Sequence, residues 1–213
     1  MKLRTEKLFE EFNISHPELA SFEDKIKVAV NALLTASEYN KILTCGNGGS
    51  SADSEHVSGE LLKSFELKRE LSSEQKQDFI NYYGEEGAEI ASNLQQGVKC
   101  IPLSSFTAFL TAYSNDCKAE YGYAQLVNVL GEKGDVLIAF STSGNAENVV
   151  LASKTAKAKG IKIIAFTGSN GGKLKEISDI LLNVPETKTY LVQEKHLAIY
   201  HLICLAIESE LYD

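Results

Sequence analysis

The sequence predicts an α/β fold with a five-stranded parallel sheet flanked by helices on both faces. Short, uniformly apolar runs alternate with stretches of helical period, and strands that are apolar on both faces are typical of a parallel sheet covered on both sides. Three of the apolar runs end in turns rich in Gly, Ser and Asn. Ligands of open α/β sheets bind beyond the carboxyl ends of the strands, so these three turns are expected to converge on one crevice.

The predicted elements follow one another in a regular order. Helical spacing of apolar residues predicts N-terminal helices, one of them over 18–38, and a long C-terminal helix over 189–211. The five predicted strands are 42–45, 98–102, 136–140, 161–167 and 180–184, and further helices are expected over 106–113 and 146–159. We therefore predict that the whole chain, 1–213, forms a single domain.

A polar segment, 68–96, interrupts this alternation. It is rich in Glu, Gln, Asn and Ser, and it contains a predicted surface helix over 72–83. The chain has no internal repeat and no low-complexity linker. We predict that 68–96 is a helical insertion of one or two surface helices added to the basic fold.

The composition limits the class of protein. The chain has 213 residues, of which 44 % are hydrophobic and 23 % charged, and its formal net charge is −8. This is ordinary globular usage, and the negative balance argues against non-specific binding to nucleic acid. No two of its four cysteines form a CxxC pair. No apolar stretch has the length of a signal peptide or a membrane span. We expect a cytoplasmic protein with free thiols and no nucleic-acid or membrane partner.

The first glycine-rich turn, 46–51, follows the predicted strand 42–45 and is called the glycine turn below. Glycines let the backbone approach a ligand closely, and the N-terminus of the following helix favours an anion. The turn lacks the spacing of a dinucleotide-binding GxGxxG motif and the GK[ST] ending of a P-loop. Its residues are compatible with an anion site and equally with a plain tight connection.

A second turn, 141–145, is more specific and is called the hydroxyl turn below. Ser141, Thr142 and Ser143 come directly after a buried strand and before a helix, so hydroxyls and free backbone N–H groups lie together. A phosphate monoester needs such a dense array of donors. Helix capping by Ser143 or Asn145 would explain one of these residues but not all three. The turn contains no Lys or Arg, so dipoles and neutral donors would have to neutralise the anion.

Two predicted helices carry groups that can bind a metal or transfer protons. His56 and Glu60 lie four residues apart, on one face of the helix that follows the glycine turn. Gln193, His196 and His201 lie on the C-terminal helix. A His–Glu pair at this spacing is also common on exposed helices, and one histidine of the C-terminal helix can instead pack against the core.

Four ordered motifs together resemble the sugar isomerase (SIS) domain family, and within it the phosphoheptose isomerases. The motifs are CGNGGSSADSEHVSGE over 45–60, SND over 114–116, STSGN over 141–145 and QEKHLAIYH over 193–201. The resemblance covers nearly the whole chain except 68–96. It implies a phosphosugar isomerase built on a five-stranded parallel sheet and assembled as a homotetramer, with active sites at the subunit interfaces.

The resemblance also implies roles for individual residues of this sequence. The implied phosphate cradle consists of Ser141, Thr142 and Ser143, and the sugar pocket of Asn47, Gly48, Gly49, Asn115 and Asp116. The implied zinc ligands are His56, Glu60, Gln193 and His201, of which Glu60 and Gln193 would also contact substrate. Glu60 and His201 match the pair to which proton transfer is assigned in the family.

These residue types suit the isomerisation of a 2-ketose phosphate to an aldose. The reaction moves a proton between C1 and C2 through an enediol. A carboxylate can remove and return the carbon-bound proton, while an imidazole or a metal polarises the oxygens. Glu60 is the expected carbon base, and His201 its partner for the oxygen protons. The resemblance to phosphoheptose isomerases implies that the substrate is sedoheptulose 7-phosphate and the product D-glycero-D-manno-heptose 7-phosphate.

Three departures from the family pattern bear on the substrate. Ala146 stands where the family commonly has a further phosphate-binding serine, Leu191 stands where relatives often have arginine, and the 68–96 segment can reshape the pocket mouth. An isomerase of a different phosphosugar would share every motif. A different class is a non-catalytic sugar-phosphate regulator or adaptor, such as the DnaA initiator-associating protein. Its pattern lacks the acid and the histidine at the positions of Glu60 and His201.

Overall fold

A computed structural model describes all 213 residues and contains one sheet of five strands. The strands are β1 Ile42–Cys45, β2 Cys100–Pro102, β3 Val136–Phe140, β4 Lys162–Thr167 and β5 Ile180–Asn183. Their order across the sheet is β2-β1-β3-β4-β5, and all four pairings are parallel. The predicted α/β class with a five-stranded parallel sheet is confirmed.

Nine α-helices surround the sheet. They are α1 Leu3–Ser15, α2 Glu23–Tyr39, α3 Gly49–Leu62, α4 Ser73–Asn93, α5 Thr107–Asp116, α6 Gly122–Leu130, α7 Glu147–Ala158, α8 Leu174–Ile177 and α9 Thr189–Tyr212. The α2 helix begins later than predicted because Pro17 opens a separate 3-10 turn that runs to Phe22. The α6 and α8 helices are absent from the sequence prediction. None of the nine combines the length and the apolar character that crossing a membrane would need.

The strands are buried because helices cover both faces of the sheet. Successive residues of β1 point to opposite faces: Ile42 packs in a core that includes side chains of α1, α2, α3 and α9, whereas Leu43 and Cys45 pack in a second core with α6 and α7. Full burial of such a Leu or Ile side chain contributes about 1.5–3 kcal/mol. The uniformly apolar composition of the strands follows from this two-sided burial.

The order of the strands reverses between β1 and β3. The chain leaves β1 to form β2 on one side, and it later adds β3 on the other side of β1. Such a reversal opens a crevice at the carboxyl ends of the two strands, where open α/β sheets bind ligands. The glycine turn follows β1 and the hydroxyl turn follows β3. The topology therefore places these two turns side by side at one crevice.

The 68–96 segment lies between α3 and β2 and forms a helical excursion from the rest of the fold. Its helix, α4, begins after a capping box at Ser72 and is kinked at Gly84, where φ is 60°. An isolated antiparallel bridge between Glu70 and Gln95 closes the base of the excursion. Only two residues of α4 are buried, so this helix packs little against the rest of the chain.

The four cysteines are free thiols. Cys45, Cys100 and Cys204 are buried, whereas Cys117 is exposed at the end of α5. Burial raises the pKa of the Cys45 thiol to about 12. The buried thiols are therefore protonated and act as small apolar side chains.

Candidate functional site

The hydroxyl turn leads from the end of β3 into the N-terminus of α7. Ser141 is buried, Thr142 half-buried and Ser143 exposed. The Ser141 hydroxyl accepts a hydrogen bond from the N–H of Ala146 (3.4 Å), and the Ser143 hydroxyl accepts one from the N–H of Asn145 (3.1 Å). The backbone N–H groups of Thr142 and Ser143 take no part in the backbone hydrogen bonds of the turn. Free donors beside a helix N-terminus are suited to bind a phosphate group.

The hydroxyl turn is in contact with the turn that follows β4, at 168–172. Gly144 has a φ of 66°, and a Cβ at this position would lie 2.0 Å from the carbonyl oxygen of Gly171. The N–H of Gly168 donates to the carbonyl of Thr142 (2.9 Å). Only glycine fits at position 144, and two of the three turns that the sequence predicts to converge do touch.

The glycine turn contacts α7 on one side and α9 on the other. The side-chain amides of Asn47 and Asn148 form a reciprocal pair of hydrogen bonds (2.8 Å each). A Cβ on Gly49 would lie 2.4 Å from Nε2 of Gln193. Gly48, whose φ is 54°, lies between these two contacts and is exposed. The structure therefore brings Asn47, Gly48, Gly49 and Gln193 together at the crevice.

A second group of predicted site residues lies between α3 and α9 and is called the His–Glu cluster. It consists of His56, Glu60 and His201. His56 Nε2 lies 3.3 Å from Glu60 Oε1, and the rings of His56 and His201 are 5.0 Å apart. The Glu60 side chain is only 13 % exposed, and its other oxygen accepts a hydrogen bond from Lys63 (3.1 Å). A carboxylate and an imidazole held this close can exchange protons with one substrate.

The imidazole of His201 is neutral at pH 7. Burial lowers its pKa, the neighbouring His56 lowers the pKa further, and Glu60 opposes both effects. Its Nε2 atom is buried and has no hydrogen-bond partner within the chain. A neutral ring with an unpartnered nitrogen is suited to accept or donate a proton, or to bind a metal ion.

Two further residues belong to this group and are missing from the sequence prediction. The Tyr200 hydroxyl lies 3.0 Å from Nδ1 of His56 and donates a hydrogen bond to Asp53 (3.3 Å). Burial raises the pKa of Asp53 to about 6, although the Tyr200 hydrogen bond and His56 act to lower it. Tyr200 and His56 lie 144 positions apart in the chain, so no local spacing could reveal their contact.

His56, Glu60 and His201 are of donor types that zinc binds, since neutral imidazoles and carboxylates are common zinc ligands, but their positions in this structure do not form a metal site. The Tyr200 hydroxyl is hydrogen-bonded to Nδ1 of His56, and the other ring nitrogen, Nε2, faces Glu60. The 3.3 Å between His56 Nε2 and Glu60 Oε1 is a hydrogen-bond distance, so the two atoms can share a proton or together bind a metal ion. In this chain no three His, Cys, Asp or Glu side chains form a group that could hold a metal ion.

Gln193, Asn115 and Asp116 also lie outside the His–Glu cluster. Gln193 precedes His201 by eight residues of α9, which is about 12 Å along a helix, and its amide lies against Gly49 instead. Asn115 and Asp116 end α5, are exposed, and hydrogen-bond to each other (2.9 Å). No residue of α5 is buried. Within one chain, neither Asn115 nor Asp116 hydrogen-bonds to another predicted site residue.

Comparison with known proteins agrees with this fold and these motifs. Residues 96–168 match the family model of the SIS domain. The chain is 35 % identical over 186 residues to a phosphoheptose isomerase of Burkholderia pseudomallei, covering 87 % of this chain and 81 % of that protein. It is 37 % identical over 191 residues to one of Helicobacter pylori, covering 89 % and 86 %. The structure of phosphoheptose isomerase from Neisseria gonorrhoeae is similar over 94 % of both chains, with a TM-score of 0.73 and 30 % identity.

Proposed function

Because this chain belongs to the phosphoheptose isomerase family of SIS-domain proteins, we propose that it converts sedoheptulose 7-phosphate to D-glycero-D-manno-heptose 7-phosphate. One observation carries the proposal: the glycine turn, which lies beside the hydroxyl turn, opens α3, and the His–Glu cluster lies further along the same helix. Seven residues, about 10 Å of helix, separate Gly49 from His56. Sedoheptulose 7-phosphate has the same arrangement, since its phosphate and its reacting carbons C1 and C2 lie at opposite ends of the molecule.

The hydroxyl turn is the proposed phosphate site. Ser141, Thr142 and Ser143 offer hydroxyl donors and free backbone N–H groups, and the N-terminus of α7 adds its positive dipole end. The chain has a net charge of −8, so attraction of the phosphate must come from these local donors. Ala146 has no hydroxyl to offer the phosphate, and its backbone N–H already donates a hydrogen bond to the Ser141 hydroxyl.

The crevice beside the phosphate site is the proposed sugar pocket. Asn47, Gly48, Gly49 and Gln193 already lie together there, and their amides and backbone groups can hydrogen-bond to sugar hydroxyls. The absence of a side chain at position 49 leaves room for the Gln193 amide. Leu191, two residues earlier on α9, offers no polar group where an arginine could bind substrate.

Glu60 and His201 are the proposed proton-transfer pair. In the proposed reaction Glu60 removes a proton from C1 of the open-chain ketose and returns it to C2 of the enediol. His201 accepts the proton of the C1 hydroxyl and supplies a proton to the C2 oxygen, so the numbers of atoms and protons balance. The neutral state of His201 and the low exposure of Glu60 support these roles.

The proposed zinc ligands are His56, Glu60, Gln193 and His201. Zinc supplies Lewis acidity, which stabilises negative charge on the sugar oxygens. The close approach of His56 Nε2 to Glu60 Oε1 and the unpartnered Nε2 of His201 support this assignment. For Gln193 to join them, its side chain must leave Gly49 and turn along α9.

We also propose a cytoplasmic homotetramer with active sites at the subunit interfaces. The support is α5, which buries no residue in its own chain and carries Asn115 and Asp116 at its exposed end. These two residues can contact substrate if α5 packs against a second subunit. Size-exclusion chromatography with light scattering measures the mass of the assembly, and we expect the mass of four chains.

Conversion of a panel of phosphosugars tests the proposed function. Sedoheptulose 7-phosphate and representative pentose and hexose phosphates are incubated with the protein, with added zinc or with a chelator, and the products are identified by NMR, which distinguishes an aldose from a ketose of equal mass. We expect turnover of the heptose phosphate and loss of turnover with chelator. Turnover of another sugar alone would contradict the proposed substrate. Tight binding without turnover in zinc would favour the regulator instead.

A further inference from the structure

The most deeply buried ion pair of the molecule lies beside the His–Glu cluster. Arg69 is 1 % exposed and Glu208 is 1 % exposed, and Arg69 Nε donates to Glu208 Oε1 at 2.8 Å. Replacing a buried ion pair with apolar residues of similar volume is often neutral or stabilising. The stability of the fold therefore does not by itself explain why two charges are buried here.

The guanidinium of Arg69 closes the last turn of α3. Its Nη1 donates to the carbonyl of Leu61 (2.8 Å), and its Nη2 donates to the carbonyl of Glu60 (3.1 Å). The last carbonyls of a helix have no partner within the helix, and a positive charge there is favourable. Arg69 therefore holds the backbone of the residue that we assign as the carbon base.

The carboxylate of Glu208 ties the loop after α3 to α9. It accepts hydrogen bonds from three consecutive backbone N–H groups, those of Phe65, Glu66 and Leu67, at 2.7–3.0 Å. Glu208 follows His201 by seven residues of α9, which places both side chains on the same face of that helix. The face of α9 that presents His201 is therefore the face that binds Arg69.

We propose that Arg69 and Glu208 are positioning residues for the isomerisation. The pair joins the last turn of α3, which carries Glu60, to the helix that carries His201, and so sets the relative position of the two proton-transfer groups. This inference rests on the proposed function. Proton transfer needs its groups held to a fraction of an ångström, and a misplacement of about 1 Å can cost a factor of about 100 in rate.

Kinetics of three Arg69 variants test the proposal. Arg69→Met keeps the length and removes every donor, whereas Arg69→Lys keeps the charge but cannot hold two carbonyls and a carboxylate at once. For sedoheptulose 7-phosphate we expect kcat per folded molecule to fall about 10- to 100-fold in Arg69→Met and less in Arg69→Lys, with KM changed by less than about threefold. Free guanidinium at millimolar concentration is expected to restore part of the kcat of Arg69→Ala.

Two control variants separate positioning from loss of stability. Arg4→Met removes the exposed ion pair between Arg4 and Glu66 of the same loop (3.0 Å) without touching α3. Leu33→Ala leaves a cavity in the core on α2 and lowers the thermal midpoint. We expect wild-type kcat per folded molecule in both controls.

Each outcome decides for or against the inference. Wild-type kcat in Arg69→Met or Arg69→Lys, or a loss no greater than that of Leu33→Ala at the same folded fraction, would overturn it. If Arg69→Met does not fold, the kcat of Arg69→Lys decides in the same way. Failure of the wild-type protein to isomerise any phosphosugar would overturn the proposed function instead.

Discussion

Tyr200 is the residue on which the geometry of the His–Glu cluster depends most. Its hydroxyl is bonded both to Nδ1 of His56 and to Asp53, and the ring is buried. The hydrogen bond at Nδ1 sets the orientation of the imidazole and leaves its Nε2 directed at Glu60. A histidine that ligates a metal normally has such a partner on its other nitrogen.

Removal of this hydroxyl tests its role. In Tyr200→Phe we expect kcat for sedoheptulose 7-phosphate and zinc affinity each to fall about 10-fold, because His56 loses its fixed orientation. The free energy of unfolding should fall by about 0.5–1.5 kcal/mol, the contribution of one hydrogen bond. Tyr82→Phe, on the exposed face of α4, is the matched control. Equal kcat and zinc affinity in wild type and Tyr200→Phe would remove Tyr200 from the site.

His196 makes the stability of the fold depend on pH. It is fully buried against the rings of Phe140 and Phe166, and its Nε2–H donates to the carbonyl of Thr167 (3.1 Å). Burial lowers its pKa to about 4, from an ordinary value of 6.5. Between pH 6.5 and 4 the unfolded chain therefore binds a proton at His196 that the folded chain does not.

The free energy of unfolding must then decrease as the pH falls through this window. The slope from one such group is about 1.4 kcal/mol per pH unit, so the total loss is about 2–3 kcal/mol by pH 4. His196→Gln keeps a donor for the Thr167 carbonyl but does not titrate. Chemical denaturation from pH 4 to 7 should show a shallower loss in this variant. Parallel curves for the two proteins would contradict the explanation.

At the scale of elements, two glycines show how the turns are fitted to their neighbours. A Cβ on Gly144 would meet the backbone of Gly171 at 2.0 Å, and the φ of 66° disfavours any side chain. A Cβ on Gly49 would meet only the end of the Gln193 side chain, at 2.4 Å, and this amide can move. The first contact fixes the backbone of the turn, whereas the second leaves room for the side chain of Gln193, which we propose binds substrate.

Alanine at each position separates these two roles. Gly144→Ala should lower the free energy of unfolding by more than about 1–3 kcal/mol, because a strained backbone conformation alone costs that much and the Cβ also clashes with the backbone of Gly171. Gly49→Ala should change the free energy of unfolding by less than about 1 kcal/mol, since alanine favours a helix. It should raise KM for the phosphosugar, because the new Cβ displaces the Gln193 amide. Thermal melts and steady-state kinetics measure both. The explanation fails if Gly49→Ala unfolds the protein or leaves KM unchanged.

The α4 excursion is expected to be dispensable for the fold. Its helix buries only two residues, and the Glu70–Gln95 bridge brings its ends together. We expect replacement of 73–93 by a two-residue Asn-Gly turn, which suits a hairpin, to change the thermal midpoint by less than about 5 °C. Circular dichroism monitors the melt. A loss of cooperative unfolding would show that the excursion is part of the core.

Local patterns explain which elements the sequence predicts well. The predicted bounds of β1 and β3 agree with the structure to the residue, because each is a uniformly apolar run that ends at a polar turn. The sequence does not predict α6 or α8. The run 122–130 mixes Val and Leu at spacings that suit a strand as well as a helix, and its helix packs closely against α7.

In the candidate site too, local spacing predicts some contacts, whereas contacts between residues far apart in the chain are not predicted. His56 and Glu60 are predicted to share a helix face because their spacing is local, and they lie 3.3 Å apart. The contacts of Tyr200 with Asp53 and of Arg69 with Glu208 join residues 147 and 139 positions apart, so only the folded chain shows them. The roles assigned to the site residues remain predictions for experiment.

At the scale of the whole molecule, an acidic chain is proposed to bind an anionic substrate. The net charge of −8 repels a phosphate at long range, and the hydroxyl turn contains no cation. Binding at the hydroxyl turn must therefore depend on short-range donors fixed by the strand reversal between β1 and β3.

The central claim is that isomerisation proceeds through an enediol with Glu60 as the base. Incorporation of deuterium from the solvent into the product tests this claim most directly. Sedoheptulose 7-phosphate is incubated in D₂O with wild-type protein or with Glu60→Gln, and the products are followed by NMR. The wild type should form the aldose heptose 7-phosphate carrying deuterium at C2, because the base exchanges its proton with solvent before returning it. Glu60→Gln should fold normally and form no product. Product formation by Glu60→Gln at the wild-type rate would contradict the assignment of Glu60 as the carbon base.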